Sequence, residues 1–165
     1  MNQTKRNILA ILILVGLAAI LLVLEAWRGS VASKSLAISL NPGDVPVYQD
    51  GQLMAAFNAE ELNNLRLVSF VDAEEGKTQD GWLLSDILGK YLQTQFWDNS
   101  MQIVISSSSR DKSITLTWGE VKNPENMVMF DLSGRGTLKL VSLLEQLDVR
   151  DEWIQDVDKI EVIEP

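Results

Sequence analysis

Neither cysteine nor histidine occurs anywhere in the 165 residues. Without cysteine there are no disulfides, thiolate metal ligands, cysteine nucleophiles or iron–sulfur clusters, and no thiol to carry a lipid. Without histidine the commonest general base, the usual zinc and haem ligand, and every triad built on imidazole are gone. Whatever chemistry the chain carries rests on carboxylates, hydroxyls, Lys, Arg and Tyr. Basic residues are scarce as well: 14 Lys and Arg face 23 Asp and Glu, and four of the basic ones stand before Leu36 against a single acid, Glu25. Residues 36–165 therefore hold 10 basic and 22 acidic side chains, a net charge of −12. A surface of that sign repels nucleic acid and anionic lipid headgroups, so no nucleic-acid partner is expected.

What the chain does have is one long apolar run. Ile8 to Leu24 is uncharged for 17 residues, and only Glu25 separates it from Ala26 and Trp27. At about 1.5 Å per residue a helix over this stretch crosses a hydrocarbon core of roughly 30 Å. Lys5 and Arg6 precede it, while behind it Glu25 offsets part of the charge of Arg28 and Lys34. The positive-inside bias then places the N-terminus in the cytoplasm and the remainder outside. The expected organisation is a cytoplasmic tail over 1–7, a transmembrane anchor over 8–27, a linker over 28–35 and an extracytoplasmic domain over 36–165. Trp27 and Arg28 stand where interfacial side chains belong. A cleaved signal peptide competes with this reading, since Ser30, Val31 and Ala32 offer small residues near a cut, although its apolar region ordinarily spans about 7–15 residues. A third reading makes the helix itself an interaction element, with Gly16, Ala18 and Ala19 as its close-contact face. The expected partners are the lipid bilayer and a membrane protein or complex.

About 130 residues remain after the anchor and linker, enough for one domain with one core. Leu36, Ile38 and Leu40 alternate as in a half-buried strand, and Asn41-Pro42-Gly43-Asp44 turns the chain. Val45 to Gln49 and Leu53 to Phe57 flank Asp50-Gly51, a two-residue hairpin signal that demands positive φ; Pro46 puts the first of these strands at an edge or at its own start. Asn58 and Glu61 suggest a capping box opening a short helix with Leu62 and Leu65 inward. Leu67 to Val71 predicts a strand. The stretch to Gly81 reads as a solvated loop whose acids Asp72, Glu74, Glu75 and Asp80 do not match a calcium loop's spacing. From Trp82 to Trp97 apolar residues recur at three and four, predicting the principal amphipathic helix. Met101 to Ile105 and Ile114 to Trp118 form a second hairpin, Gly119 to Lys122 one helical turn, and Met127–Leu132 and Leu138–Val141 strands around Ser133-Gly134-Arg135-Gly136. A brief helix over Leu143 to Leu147 and a last strand over Val157 to Ile163 complete the chain.

Several of these segments, in order, resemble a known family. Gly81-Trp82-Leu83-Leu84-Ser85-Asp86-Ile87-Leu88 resembles the "G-x-p-L-x-d-l-L" helix of the oxidoreductase molybdopterin-binding domain, the sulfite-oxidase-type fold. Phe57 to Leu65 is similar to its "f-t-x-e-e-L" segment, Gly134 to Val141 to its "G-G-P-x-R-L-V" strand, and Trp153 to Val162 to its closing "W-v-k-x-v-x-x-I-e-v". The resemblance implies an α+β protein, one N-terminal transmembrane helix followed by a mixed-sheet sulfite-oxidase-like domain. It also implies a departure. Catalytic members ligate molybdenum through a cysteine between the strand here ending at Val71 and the Gly81 motif, and this chain has none. The usual Gly-Gly-Pro has become Gly134-Arg135-Gly136, and the usual Arg of the next strand is Lys139. A degenerate, non-catalytic member without cofactor is expected, the alternative being a redox protein that retains molybdopterin without the thiolate.

Two stretches have the character of an anion site: Ser107, Ser108 and Ser109 with Arg110, and Arg135 between two glycines, with Lys139 beyond. Arginine grips phosphate or carboxylate with paired bonds, and glycine lets backbone N–H groups approach. If the turns meet at one end of a sheet, a small anionic ligand or a degenerate pterin-phosphate pocket belongs there; otherwise both are ordinary hairpin turns. Of Trp82, Trp97, Trp118 and Trp153, most are expected in the core, with Trp82 the one exposed for binding. Ser85 with Lys90, and Ser113 with Lys112, lack the spacing of a Ser-Lys hydrolase.

Overall fold

A computed structural model describes residues 38–165. The expected tail, the run from Ile8 to Leu24, Trp27, Arg28 and the linker lie outside the described residues. Among the described residues no helix is long and apolar enough to cross a membrane.

The chain is mixed α+β, with two sheets and few helices. In the five-stranded sheet the order is β2 (Gln52–Phe57), β1 (Val45–Gln49), β9 (Lys159–Ile163), β5 (Gln102–Ser107), β6 (Lys112–Thr117). Only β1 and β9 run parallel. The four-stranded antiparallel sheet has the order β3 (Leu67–Val71), β4 (Thr78–Leu83), β7 (Met129–Leu132), β8 (Leu138–Val141). Three short helices connect these strands: α1 (Ala59–Leu62), α2 (Leu84–Tyr91) and α3 (Trp118–Lys122).

Local chemistry accounts for the joints. Asp50 and Gly51 take φ of 49° and 77° at the tip of β1–β2, the left-handed pair that a two-residue hairpin needs. Pro46 lies before the first parallel pair, Val47 with Ile160, so its missing N–H costs that ladder nothing. The Asn58 side chain caps α1 by accepting from the amides of Glu60 and Glu61. Glu61 does not close a capping box there; its carboxylate accepts from the Tyr91 hydroxyl at 2.6 Å. A full capping box forms instead at α3, between Thr117 and Glu120.

One buried cluster draws Phe57, Ile103, Ile105, Leu116 and Ile160 from the first sheet, Phe130 and Leu140 from the second, and Leu62, Leu84, Ile87 and Leu88 from α1 and α2. Phe57 stacks on Tyr91 with centroids 5.7 Å apart and tilts against Phe130 at 6.2 Å. Successive side chains of a strand point to opposite faces. Met129 and Val141, the neighbours of Phe130 and Leu140, therefore build a smaller cluster with Trp153 on the other side of the second sheet.

Four expectations need correcting. Ile38 to Leu40 has no strand pairing. The predicted helix from Trp82 to Trp97 is shorter: Trp82 belongs to β4, opposite Leu67 and Phe130, the helix runs only over Leu84–Tyr91, and a single 3-10 turn covers Thr94–Phe96. Leu84, Ile87, Leu88 and Tyr91 make a true helical stripe, whereas Phe96 continues the spacing but is 78% exposed. Trp82 is not the exposed tryptophan either. It is 7% exposed in the main core, and Trp118 and Trp153 are buried as expected. The same shift turns Thr78 to Gly81, four of the ten residues of the expected 72–81 loop, into strand.

Gly81 explains why β4 sits so close to β7. A Cβ there would overlap the Phe130 carbonyl, a backbone atom that cannot step aside. Gly81→Ala is therefore expected to destabilise the fold by about 3 kcal/mol, at the upper end of overpacking effects. Gly134→Ala, with open space around its Cβ, is expected to stay within about 0.5 kcal/mol of the parent in chemical denaturation.

Candidate functional site

The two arginine-bearing turns do come together. Ser108–Arg110 forms a 3-10 turn that closes β5–β6 with Asp111 left-handed. Ser133 and Gly136 close β7–β8, the Ser133 amide donating to the Thr137 carbonyl at 2.8 Å. Between them stands a residue the sequence reading did not single out, Asp156, itself left-handed at φ 55° in the segment before β9. Its carboxylate accepts from Arg110 Nε at 2.7 Å, from Arg135 Nη2 at 2.8 and 2.9 Å, and from the Thr137 hydroxyl at 2.6 Å. The anion held by these turns is therefore the chain's own. Beside it, Asp158 accepts from the Ser108 amide at 2.8 Å, filling the backbone donor of the serine turn. Ser107 is 1% exposed, and its hydroxyl lies 3.3 Å from that of Ser109.

Lys139 lies elsewhere, on the face of the second sheet away from Trp82. Its Nζ pairs with Asp131 at 2.7 Å, donates to Gln79 Oε1 at 3.1 Å and stands 4.7 Å from the centroid of the Trp153 ring. Gln79 passes the connection on: its amide donates to Asp72 at 2.9 Å, and the other Asp72 oxygen accepts from the Glu75 amide at 2.6 Å. Arg150 also lies over the Trp153 ring, at 5.3 Å, and pairs with Glu75 at 2.7 Å. Glu74 and Glu75 thus both hold Arg150, Glu74 accepting from its amide at 3.0 Å and Glu75 from its guanidinium. Among the described residues no group of three acids is arranged to hold a metal ion.

A cavity of about 560 Å³ lies between the β3–β4 connection and the β7–β8 turn. Glu74, Glu75, Arg135, Lys139, Arg150 and Trp153 are among the residues lining it. Of the expected ligand-binding residues, Arg135 and Lys139 share this cavity, Arg110 and the serines belong to the adjoining Asp156 cluster, and Trp82 is in the core. The three cations on the wall each have a carboxylate partner: Arg135 has Asp156, Lys139 has Asp131, and Arg150 has Glu75.

The ionisation of the site follows from the same contacts. The Thr137 hydroxyl and then Arg135 hold the Asp156 carboxyl down at about 2, against the opposing effect of burial, with Arg110 adding to the depression. The Glu75 amide lowers Asp72, and Lys77 lowers Glu75. Burial and the neighbouring Glu61 push the Tyr91 phenol up. Each of these shifts deepens the ordinary resting state, carboxylate or phenol. A general acid or base tuned to neutral pH needs the opposite displacement.

Asp156→Asn leaves two guanidiniums facing a neutral amide. Both are substantially exposed, 43% and 58%, so the expected loss is about 1–2 kcal/mol, mostly from the hydrogen bonds. Because the folded pKa is depressed, this contribution is complete above 3.8 and is lost as pH falls through about 2. Denaturation of parent and variant across that window should show their difference closing. No protein-family model matches the chain, and no match to it is found among the curated proteins.

Proposed function

We propose that the chain is a membrane-anchored, non-catalytic binding domain that works outside the cytoplasm, as an accessory subunit of a membrane complex. The apolar run from Ile8 to Leu24 supports the anchor, and Lys5 and Arg6 ahead of it support the orientation. The domain itself is read as a degenerate sulfite-oxidase-like fold, on the motifs around Phe57, Gly81, Gly134 and Trp153.

The observation that carries the absence of catalysis is the occupancy of the cationic turns by Asp156. Arg110 and Arg135 converge as they would on a substrate or cofactor phosphate, yet an internal carboxylate fills the position and is held ionised. Lys139 and Arg150 are likewise committed, to Asp131 and Glu75. The alternative, a redox protein that keeps molybdopterin, does not suit this donor set. It would need unpaired cations for the pterin phosphate, whereas Arg110, Arg135, Lys139 and Arg150 each face a carboxylate.

The test is affinity purification of the full chain, anchor included, from gently solubilised membranes, with elemental analysis of the product. A membrane protein recovered in fixed stoichiometry, with neither molybdenum nor pterin above trace, is the expected result. Stoichiometric molybdenum or pterin, or a chain recovered alone, contradicts the proposal.

A further inference from the structure

The four sheet edges are not equally protected. β8 is covered, its Leu140 amide donating to the Ile154 carbonyl at 2.9 Å and its Leu138 carbonyl accepting from Val157 at 2.9 Å. β6 opens on a charge, Lys112. β2 is uncharged but pairs with β1 through a break in register at Val47 and Tyr48. Covers, edge charges and bulges are the ordinary means of keeping strands from pairing with other chains. β3 has none of them. Leu67-Val68-Ser69-Phe70-Val71 is uncharged, pairs with β4 in uninterrupted register, and leaves Leu67 58% and Val71 59% exposed. Among the described residues no hydrogen bond reaches its outer edge beyond those of its ladder with β4.

We propose that this edge pairs with β3 of a second copy of the chain, antiparallel and centred on Ser69, so that the two four-stranded sheets become continuous. The occupant follows from charge and from sequence symmetry. Residues 36–165 carry a net charge of −12, so most faces of one copy repel another. The β3 edge is free of that penalty. About Ser69, Leu67 meets Val71 on one face and Val68 meets Phe70 on the other; of the flanking charges, Arg66 is exposed, while Asp72 is buried with both oxygens taken by the Glu75 amide and Gln79. The nearest acid on the strand face is Asp80, paired with Ser69 across β4. The two copies' Asp80 side chains would stand three strand spacings apart, about 14 Å. That exceeds the screening length of about 8 Å at physiological salt. Self-pairing thus buries the exposed leucine and valine without facing like charges.

Sedimentation equilibrium on the full chain in detergent, combined with cysteine crosslinking, tests this. The parent should be a reversible dimer. Ser69→Lys, which sets two ammoniums against each other at the two-fold axis, should weaken it at least about tenfold. Met54→Lys on the β2 edge should leave it unchanged. The natural absence of cysteine makes crosslinks unambiguous: Ser69→Cys should join two copies on mild oxidation, and Val71→Cys, which faces position 67, should do so far more slowly. A monomeric parent overturns the proposal. So does a dimer that survives Ser69→Lys or dissolves with Met54→Lys, and so does crosslinking at 69 that is no faster than at 71.

Discussion

The carboxylate of Asp156 holds three separate pieces of chain at one point. Arg110 arrives on the hairpin of the five-stranded sheet, Arg135 and Thr137 on the hairpin of the four-stranded sheet, and Asp156 on the segment that leaves β8 to become the central strand β9. Two guanidiniums brought this close repel unless an anion lies between them. A left-handed backbone at Asp156 aims the carboxylate at both, a conformation that aspartate tolerates better than most residues. Asp158, two residues on, then reaches the Ser108 amide, so the same short segment fills both features that would otherwise attract an external anion.

Scarcity of positive charge makes this arrangement consequential. With 10 basic against 22 acidic side chains in residues 36–165, committing Arg110, Arg135, Lys139 and Arg150 to internal carboxylates leaves a surface dominated by acids. Charge of that sign favours contacts that are apolar or cationic on the other side. The uncharged β3 edge is one place where the chain departs from that acidic background.

Much of the fold was legible because its signals are local. Asp50-Gly51 fixes its hairpin through φ alone, the alternation of Ile103 and Ile105 against Ile114 and Leu116 marks β5 and β6, and Asn58 announces α1 by its own side chain. What escaped was set at long range. β4 looks polar because Gln79 is buried to bridge Asp72 and Lys139, and because Gly81 makes room for the Phe130 carbonyl. Those partners lie up to 60 residues away. Trp82 was drawn into the helical pattern by the stripe that follows it, although its cross-strand neighbours place it in the sheet. In the site, Arg110, Arg135 and Lys139 stood out by charge and by neighbouring glycine or serine. Asp156 did not, being one acid among 23, distinguished only by a backbone conformation that the sequence does not display.

Asp156 is the resident anion of the arginine turns. Carbon-detected titration of its side-chain carboxyl in the folded chain, with and without excess phosphate, tests it most directly. The expected result is a midpoint near 2 that phosphate leaves unmoved. A midpoint near the ordinary 3.8, or one that moves when phosphate is added, would show that the turns are open to an external ligand and contradict it.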